Sequence, residues 1–117
     1  MAVETDPTGA EAHQPGAKLD NGKAPVWRGA IAYFPNAIRN VSAVSAFGAS
    51  KYTWNGWRTV PDGVSRYTDA MARHLMAEAS GEIKDPDSAL LHAAHVAWNA
   101  LARLELMLQN SRADFTS

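Results

Sequence analysis

Cysteine is absent from the 117 residues, which removes disulfides, thiolate metal sites and cysteine nucleophiles together. No apolar run reaches the length of a membrane span, and the amino-terminal residues lack the basic-then-apolar pattern of a signal peptide. A soluble cytoplasmic protein with no membrane partner is therefore expected. A net charge of −1 gives no general cationic excess, so no nucleic-acid polymer is expected as partner. Sizeable aliphatics are scarce up to Lys23, where only Val3 and Leu19 stand amid Gly, Pro, Thr and charge. Such a stretch cannot offset its own ordering entropy. Residues 1–23 are expected to be flexible, with 18–23 ordered by ligand. Carboxylates, finally, are missing from the whole span Ala24–Val60, which holds Arg28, Arg39, Lys51 and Arg58. The next span, to Asp87, carries six acids against three bases. A cationic half beside an acidic half suits a ligand made of phosphate plus metal, or arises by chance on a mixed surface.

What is present reads as helix. Pro35 to Tyr52 places Ile38, Val41, Val44, Ala46 and Phe47 on one side. Lys51–Gly63, with Asn55-Gly56 and Pro61-Asp62-Gly63, has turn chemistry at both ends. Ser65 is a fitting N-cap for a second helix closed by Gly81, with Tyr67, Ala70, Met71, Leu75 and His74 toward the interior. Asp85 followed by Pro86 signals a third helix running to about Asn110. Its apolar stripe would be Leu90, Leu91, Ala94, Ala97, Trp98, Leu101, Leu104 and Leu108, with His92, His95 and Asn99 as a polar stripe beside it. The expected fold is all-α: a small bundle of two to three main helices with a long basic N-terminal loop, completed by oligomerisation. The expected domain is a helical nucleotide-binding unit over 24–110, followed by a tail at 111–117.

Three of the four histidines lie between Arg73 and His95, in company with Glu78, Glu82, Asp85 and Asp87. Imidazole and carboxylate together can hold a divalent ion or move protons near neutral pH. The plainer alternative is that the histidines are half-buried polar groups bonded across a helix pair. Capping explains Asp85 and Asp87, but explains Glu82 poorly, since it follows a glycine outside any helix. Lys18 to Lys23 has the composition of a phosphate clamp, or of a solvated linker. Phe47 to Tyr52 and Trp54 to Arg58 set aromatics beside cations, which can hold a base and its phosphates or simply plug a small core.

Taken in order, Lys18-x-Asp20-x-Gly22-Lys23, Phe47-Gly48-Ala49-x-Lys51-Tyr52, Asn55-Gly56-Trp57-Arg58, Arg73-His74, Gly81-Glu82-x-x-Asp85 and His92-x-x-His95-x-x-x-Asn99 resemble the phage dATP/dGTP pyrophosphohydrolase-type, or MazG-like, domains. The resemblance covers roughly Lys18 to Leu108. It implies release of pyrophosphate from a purine deoxynucleoside triphosphate, with Mg²⁺ (or Mn²⁺), in a host-cell cytoplasm. The sequence departs from the family in two places. The acidic-serine-glycine run before the histidine helix reads Asp87-Ser88-Ala89, without its glycine, and the first helix lacks the E-x-x-E metal pair of better-known all-α pyrophosphohydrolases.

On this reading His74, His92, His95 and Asn99 are catalytic and Glu82 and Asp85 hold the metal. Lys18, Asp20, Lys23, Lys51, Tyr52, Trp57, Arg58 and Arg73 bind substrate. Two alternatives remain open at this level. One is a non-catalytic phage module that sequesters a nucleotide; the other is a structural oligomerisation domain. A homo-oligomer is expected in each case, because Leu101, Leu104, Met107 and Leu108 exceed what one short hairpin can cover.

Overall fold

The computed structural model describes residues 6–111. Residues 1–5 and, apart from Ser111, the expected tail at 111–117 lie outside that description. The chain resolves into two units, one ending at Phe34 and the other beginning at Pro35.

The first unit is held by turns. The Asp6 carboxylate accepts the backbone N–H of Thr8 at 2.7 Å and that of Lys18 at 2.6 Å. A single π-helical turn, Trp27–Ile31, follows, and the Ala32 N–H bonds back to Trp27 O at 2.7 Å.

The second unit is all-α: α1 (Pro35–Lys51), a 3-10 turn (Gly56–Thr59), α2 (Gly63–Ala79) and α3 (His92–Asn110). Among the described residues there is no strand, and Lys84 and Leu91 form an isolated antiparallel bridge. Both α1 and α2 pack chiefly on α3, which makes α3 the central rod. Gly63 starts α2 two residues ahead of the expected Ser65 cap. A Cβ there would stand 2.7 Å from Leu106 Cδ1, so with glycine the start of α2 closes onto α3 without displacing the Leu106 side chain.

The interior decides one open alternative about helix faces and corrects one expectation. On α3 the buried positions are His92, Ala94, His95, Asn99, Ala102 and Leu106. Residues 92, 95, 99, 102 and 106 alternate steps of three and four, the spacing of a helix-packing seam. The polar stripe is thus the inner seam, while Leu101 and Leu104 stand 54% and 50% exposed. On α2, Leu75 is likewise turned outward. Periodicity located both stripes and left open which one faces the neighbours; the histidine end turns inward, where polar partners make its burial tolerable.

Apolar burial is thin. Among the described residues, Val44, Ala94, Ala102 and Leu106 are the buried apolar side chains, and no large side chain is fully buried. Aromatic edges supply much of the rest. Trp98 meets Trp57 at 5.9 Å and Tyr67 at 5.6 Å between ring centroids, both edge-on. Its indole N–H donates to Ser45 Oγ at 2.8 Å, and Tyr67 O–H donates to Trp57 O at 2.7 Å. One side chain therefore ties α1, the 3-10 turn and α2 to α3.

Candidate functional site: a histidine–carboxylate cluster

The connection between α2 and α3 is an ordered fold-back rather than the first turns of a helix. Gly81 at φ +98° turns the chain out of α2. Asp85 N–H then donates to Leu90 O at 2.8 Å, and His92 N–H to Ile83 O at 2.9 Å. The Asp85 carboxylate accepts the Ser88 N–H at 2.9 Å. That is a capping contact, but no regular helix follows it, because Ala89 adopts φ +61° and breaks the run. The Asp85-Pro86 start signal therefore yields one turn, and α3 begins only at His92.

Ala89 stands where the resembling family has glycine. The left-handed conformation costs a non-glycine residue roughly 1–2 kcal/mol, against about 0.5–1 kcal/mol for glycine's extra chain entropy. Ala89→Gly is expected to stabilise the fold by up to about 1 kcal/mol in chemical denaturation. A loss of stability would contradict this account.

The fold-back delivers Glu82, Asp85 and Ser88 to three imidazoles. His92, 3% exposed, has both ring nitrogens engaged. Its Nε2 lies 2.8 Å from Glu82 Oε1 and its Nδ1 lies 2.8 Å from His74 Nδ1. With Nε2–H donated to the carboxylate, a neutral His92 presents Nδ1 as acceptor, and His74 then donates Nδ1–H. The His74 ring stacks on His95, with centroids 4.4 Å apart and planes 9° from parallel. His95 Nε2 approaches Ser88 Oγ at 2.6 Å and Asp85 Oδ2 at 3.6 Å.

Ser88 Oγ also accepts the Leu90 N–H at 3.1 Å, so the hydroxyl braces the connection against α3. It sits between acid and imidazole. In a nucleophilic serine triad the imidazole stands between the serine and the acid, so this is a different arrangement. Ser88 was not among the sequence-derived site residues; its signal was the Asp-x-x-Ser spacing of a side-chain-capped turn.

The electrostatics favour the neutral form of two of the rings, His74 and His95. Burial lowers the pKa of His74, and the neighbouring His95 and His92 lower it further. His95 is lowered by burial too, with Asp85 pulling the other way. Burial is the largest single influence on Asp85 and pushes it up. The Ser88 N–H and hydroxyl and the nearby imidazoles together outweigh it, so this acid ends below its usual range. For His74 and His95, folded pKa values lie below the unfolded value of about 6.5, so on acidification the unfolded chain takes up protons first. Stability is full above that range and declines as pH falls through it. Thermal midpoints of the metal-free protein are expected to drop steadily between about pH 7.5 and pH 5.5, and a flat profile would contradict it.

One donor atom from each of His74, Asp85 and His92 lies within 4.8 Å of the others, a set that could hold a metal ion. The facing Nδ1 atoms of His74 and His92, 2.8 Å apart, are near the ~3.0 Å edge between cis ligands of a six-coordinate ion with bonds of about 2.1 Å. The donors fit a divalent cation. Glu82, expected as a ligand, instead accepts from the far nitrogen of His92.

The remaining sequence-derived residues are less concentrated. Lys51, at the end of α1, stands over the Phe47 ring at 5.2 Å and pairs with Asp87 at 3.3 Å. Phe47 in turn meets His95 edge-on at 6.2 Å, which puts Lys51 at the rim of the cluster. Tyr52 is 76% exposed, with the Lys51 ammonium 5.7 Å from its ring. Asn99 is buried and donates to His95 O at 2.8 Å, within its own helix. Arg73 is exposed beside His74. Trp57 belongs to the aromatic core. Arg58 covers the Trp57 ring at 4.7 Å and lines a cavity of about 380 Å³ between the start of α2 and the end of α3. Gly63, at that cavity, is some 16 Å along α2 from His74 at the usual helical rise, so Arg58 is not brought to the histidines. Lys18, Asp20 and Lys23 belong to the first unit, where Asp20 N–H bonds to Lys18 O and Lys23 N–H to Asp20 O.

An all-α domain with buried histidines and carboxylates gathered on one helix-pair seam is the class these features define. The chain belongs to the dATP/dGTP diphosphohydrolase N-terminal family, whose model matches residues 13–115. A protein of Salmonella phage PMBT28 named dATP/dGTP diphosphohydrolase is 33% identical over 82 residues, which is 70% of this chain and 26% of that protein. The chain thus spans about a quarter of the length of that relative. No solved structure matches it.

Proposed function

We propose that this domain binds and cleaves a purine deoxynucleoside triphosphate, dATP or dGTP, releasing the monophosphate and pyrophosphate. The observation that carries the reading is the convergence of His74, His92 and His95 with Asp85 at one end of the α2–α3 seam, in a chain whose relative is named for that reaction. His74, Asp85 and His92 would hold a divalent cation, with Glu82 fixing His92 from behind. Bound there, such an ion supplies positive charge to phosphoryl oxygens and acidifies water.

The chain's own groups supply the rest. His95, neutral near pH 7 because of its burial, accepts the proton of the water that attacks the α-phosphorus as the bond to the β-phosphate oxygen breaks. Ser88 and Asp85 hold the His95 ring in place. Lys51, at the rim, neutralises phosphate charge, and the exposed Tyr52 ring beside it offers a face to the base. Arg73, exposed beside His74, extends the substrate-binding set. On this reading, the nucleotide-binding region lies in the helical unit that begins at Pro35.

A second reading is favoured by one feature. No carboxylate lies anywhere on α1, and three quarters of the relative lies beyond the matched region. A domain that binds the nucleotide without cleaving it needs no acid on α1. The full chain, incubated with each deoxynucleoside triphosphate and Mg²⁺ or Mn²⁺, is expected to release pyrophosphate from dATP or dGTP. Calorimetric binding with the nucleotide recovered intact would establish the sequestering module in its place. Absence of both on folded protein would overturn both readings.

We also propose that the protein is a homo-oligomer. Ala97, Leu101, Leu104 and Leu108 repeat steps of four and three, a second seam on α3, and its three leucines are exposed. Light scattering at micromolar concentration is expected to give a dimer or larger, and Leu101→Glu combined with Leu104→Glu a monomer. A monomeric mass for the unaltered chain would refute it.

A further inference from the structure

We infer that the His74–Asp85–His92 cluster selects imidazole-preferring transition-metal dications, in the order Zn²⁺ and Co²⁺ above Mn²⁺, with Mg²⁺ last, and that Glu82 enforces this choice through His92. The inference deepens the pyrophosphohydrolase reading by naming the ion class of the same site, and its test requires no nucleotide.

The argument starts from the donor atoms. Two of the three are imidazole nitrogens and one is a carboxylate oxygen. Mg²⁺ takes oxygen ligands in a near-ideal octahedron and gives up its waters reluctantly, whereas imidazole suits the later first-row ions. An ion held by two neutral imidazoles and one carboxylate also keeps coordination positions open, as a site that meets phosphate oxygens must.

The second strand is the tautomer of His92. A ring buried to 3% exposure cannot rotate to solvent, and Glu82 Oε1 occupies its Nε2 at 2.8 Å. That hydrogen bond leaves Nδ1 as the one nitrogen of His92 able to bind an ion, and it is the atom that faces His74. Carboxylate–imidazole pairs of this kind orient metal-binding histidines and raise their basicity. Glu82 itself is half exposed at its side chain, 52%, which is a costly way to use a carboxylate for packing but an apt one for orienting a buried ring from the rim. A Mg²⁺ site would put that acid on the ion. Here it stands on the opposite side of an imidazole.

The stacking of His74 on His95 adds a third constraint. With its plane 9° from that of His95 and its Nδ1 toward His92, His74 is held in one ring orientation before any ion arrives. Preorganised nitrogen donors at a fixed separation discriminate by ligand preference rather than by adapting to the ion.

The test uses the full chain stripped with a chelator. Titration with Co²⁺, followed by visible absorption and by calorimetry, is expected to give a single strongly bound ion per chain, displaced by Zn²⁺ and untouched by Mg²⁺ at about a thousandfold excess. His74→Ala is expected to weaken Co²⁺ binding by about 100-fold or more, and Glu82→Gln by about 10–100-fold, both with unchanged circular dichroism. Displacement by Mg²⁺ at that excess, a stoichiometry well below one on folded protein, or undiminished Co²⁺ affinity in His74→Ala would each overturn the inference. Metal binding without pyrophosphate release leaves it standing while the hydrolase reading falls. Pyrophosphate release with Mg²⁺ alone, and no Co²⁺ binding, does the reverse.

Discussion

Trp98→Ala is expected to cost about 3 kcal/mol of folding free energy, the lower part of the range for truncating a large aromatic, since this ring is only partly buried. In a small domain of ordinary stability that is a large fraction of the total. The size of the effect follows from connectivity. Trp98 holds Ser45 of α1 through its N–H and meets Trp57 and Tyr67 with its ring edges and faces. Few other side chains link three elements to α3 here, because the buried apolar set is so small. Trp98→Phe keeps a ring and loses the donor, so about 1 kcal/mol is expected from the hydrogen bond, with further loss from the smaller ring. Guanidinium denaturation followed at a helical circular dichroism band measures both. A Trp98→Ala midpoint within error of the original would show that the helices are held elsewhere.

The second large effect concerns chemistry rather than folding. Asp85→Asn is expected to reduce the proposed pyrophosphate release by about 10²–10³-fold, the rate equivalent of a few kcal/mol of lost charge stabilisation. Asparagine keeps an oxygen to accept the Ser88 N–H, so the fold-back survives and stability should change by less than about 1 kcal/mol. The separation of the two readouts is the point. Asp85 both caps the connection and carries the charge beside His95 and His74, and only the second role is removed. Full activity in Asp85→Asn would exclude this acid from the reaction; lost activity with an equal loss of stability would mark it as structural.

Much of the architecture was legible in the chain. The bounds of α1 follow from Pro35 and from the turn residues after Lys51, and the end of α2 from Gly81, all of them local signals. The grouping of His74, His92 and His95 with Asp85 was legible too, because three- and four-residue spacings on two helices joined by a short connection leave few other arrangements. The inward direction of the α3 polar stripe was legible only as one of two open alternatives. Periodicity fixes the angle between two stripes on a rod and says nothing about which one meets a neighbour when both are long enough to pack. The early end of the Asp85 helical turn was hidden as well, since it depends on the left-handed backbone of Ala89, a residue whose type gives no hint of it. Glu82 was placed correctly near the histidines but in the wrong relation to them. Its distance from a ring nitrogen, 2.8 Å, is a property of the folded connection alone. Arg58 and Trp57 were drawn into the site by their chemistry, whereas the packing of the 3-10 turn on Tyr67 and Trp98 uses the indole as filler.

The division of labour along the chain has a practical consequence. Every imidazole of the cluster is mounted on α2 or α3, and both carboxylates and the bracing hydroxyl are mounted on the link between them, residues 80–91. The nitrogen frame and the oxygen complement can therefore be varied separately. A library confined to that link, grafted between unaltered rods, would sample new acidities and charge balances around a constant trio of rings, and natural relatives could diverge along the same route.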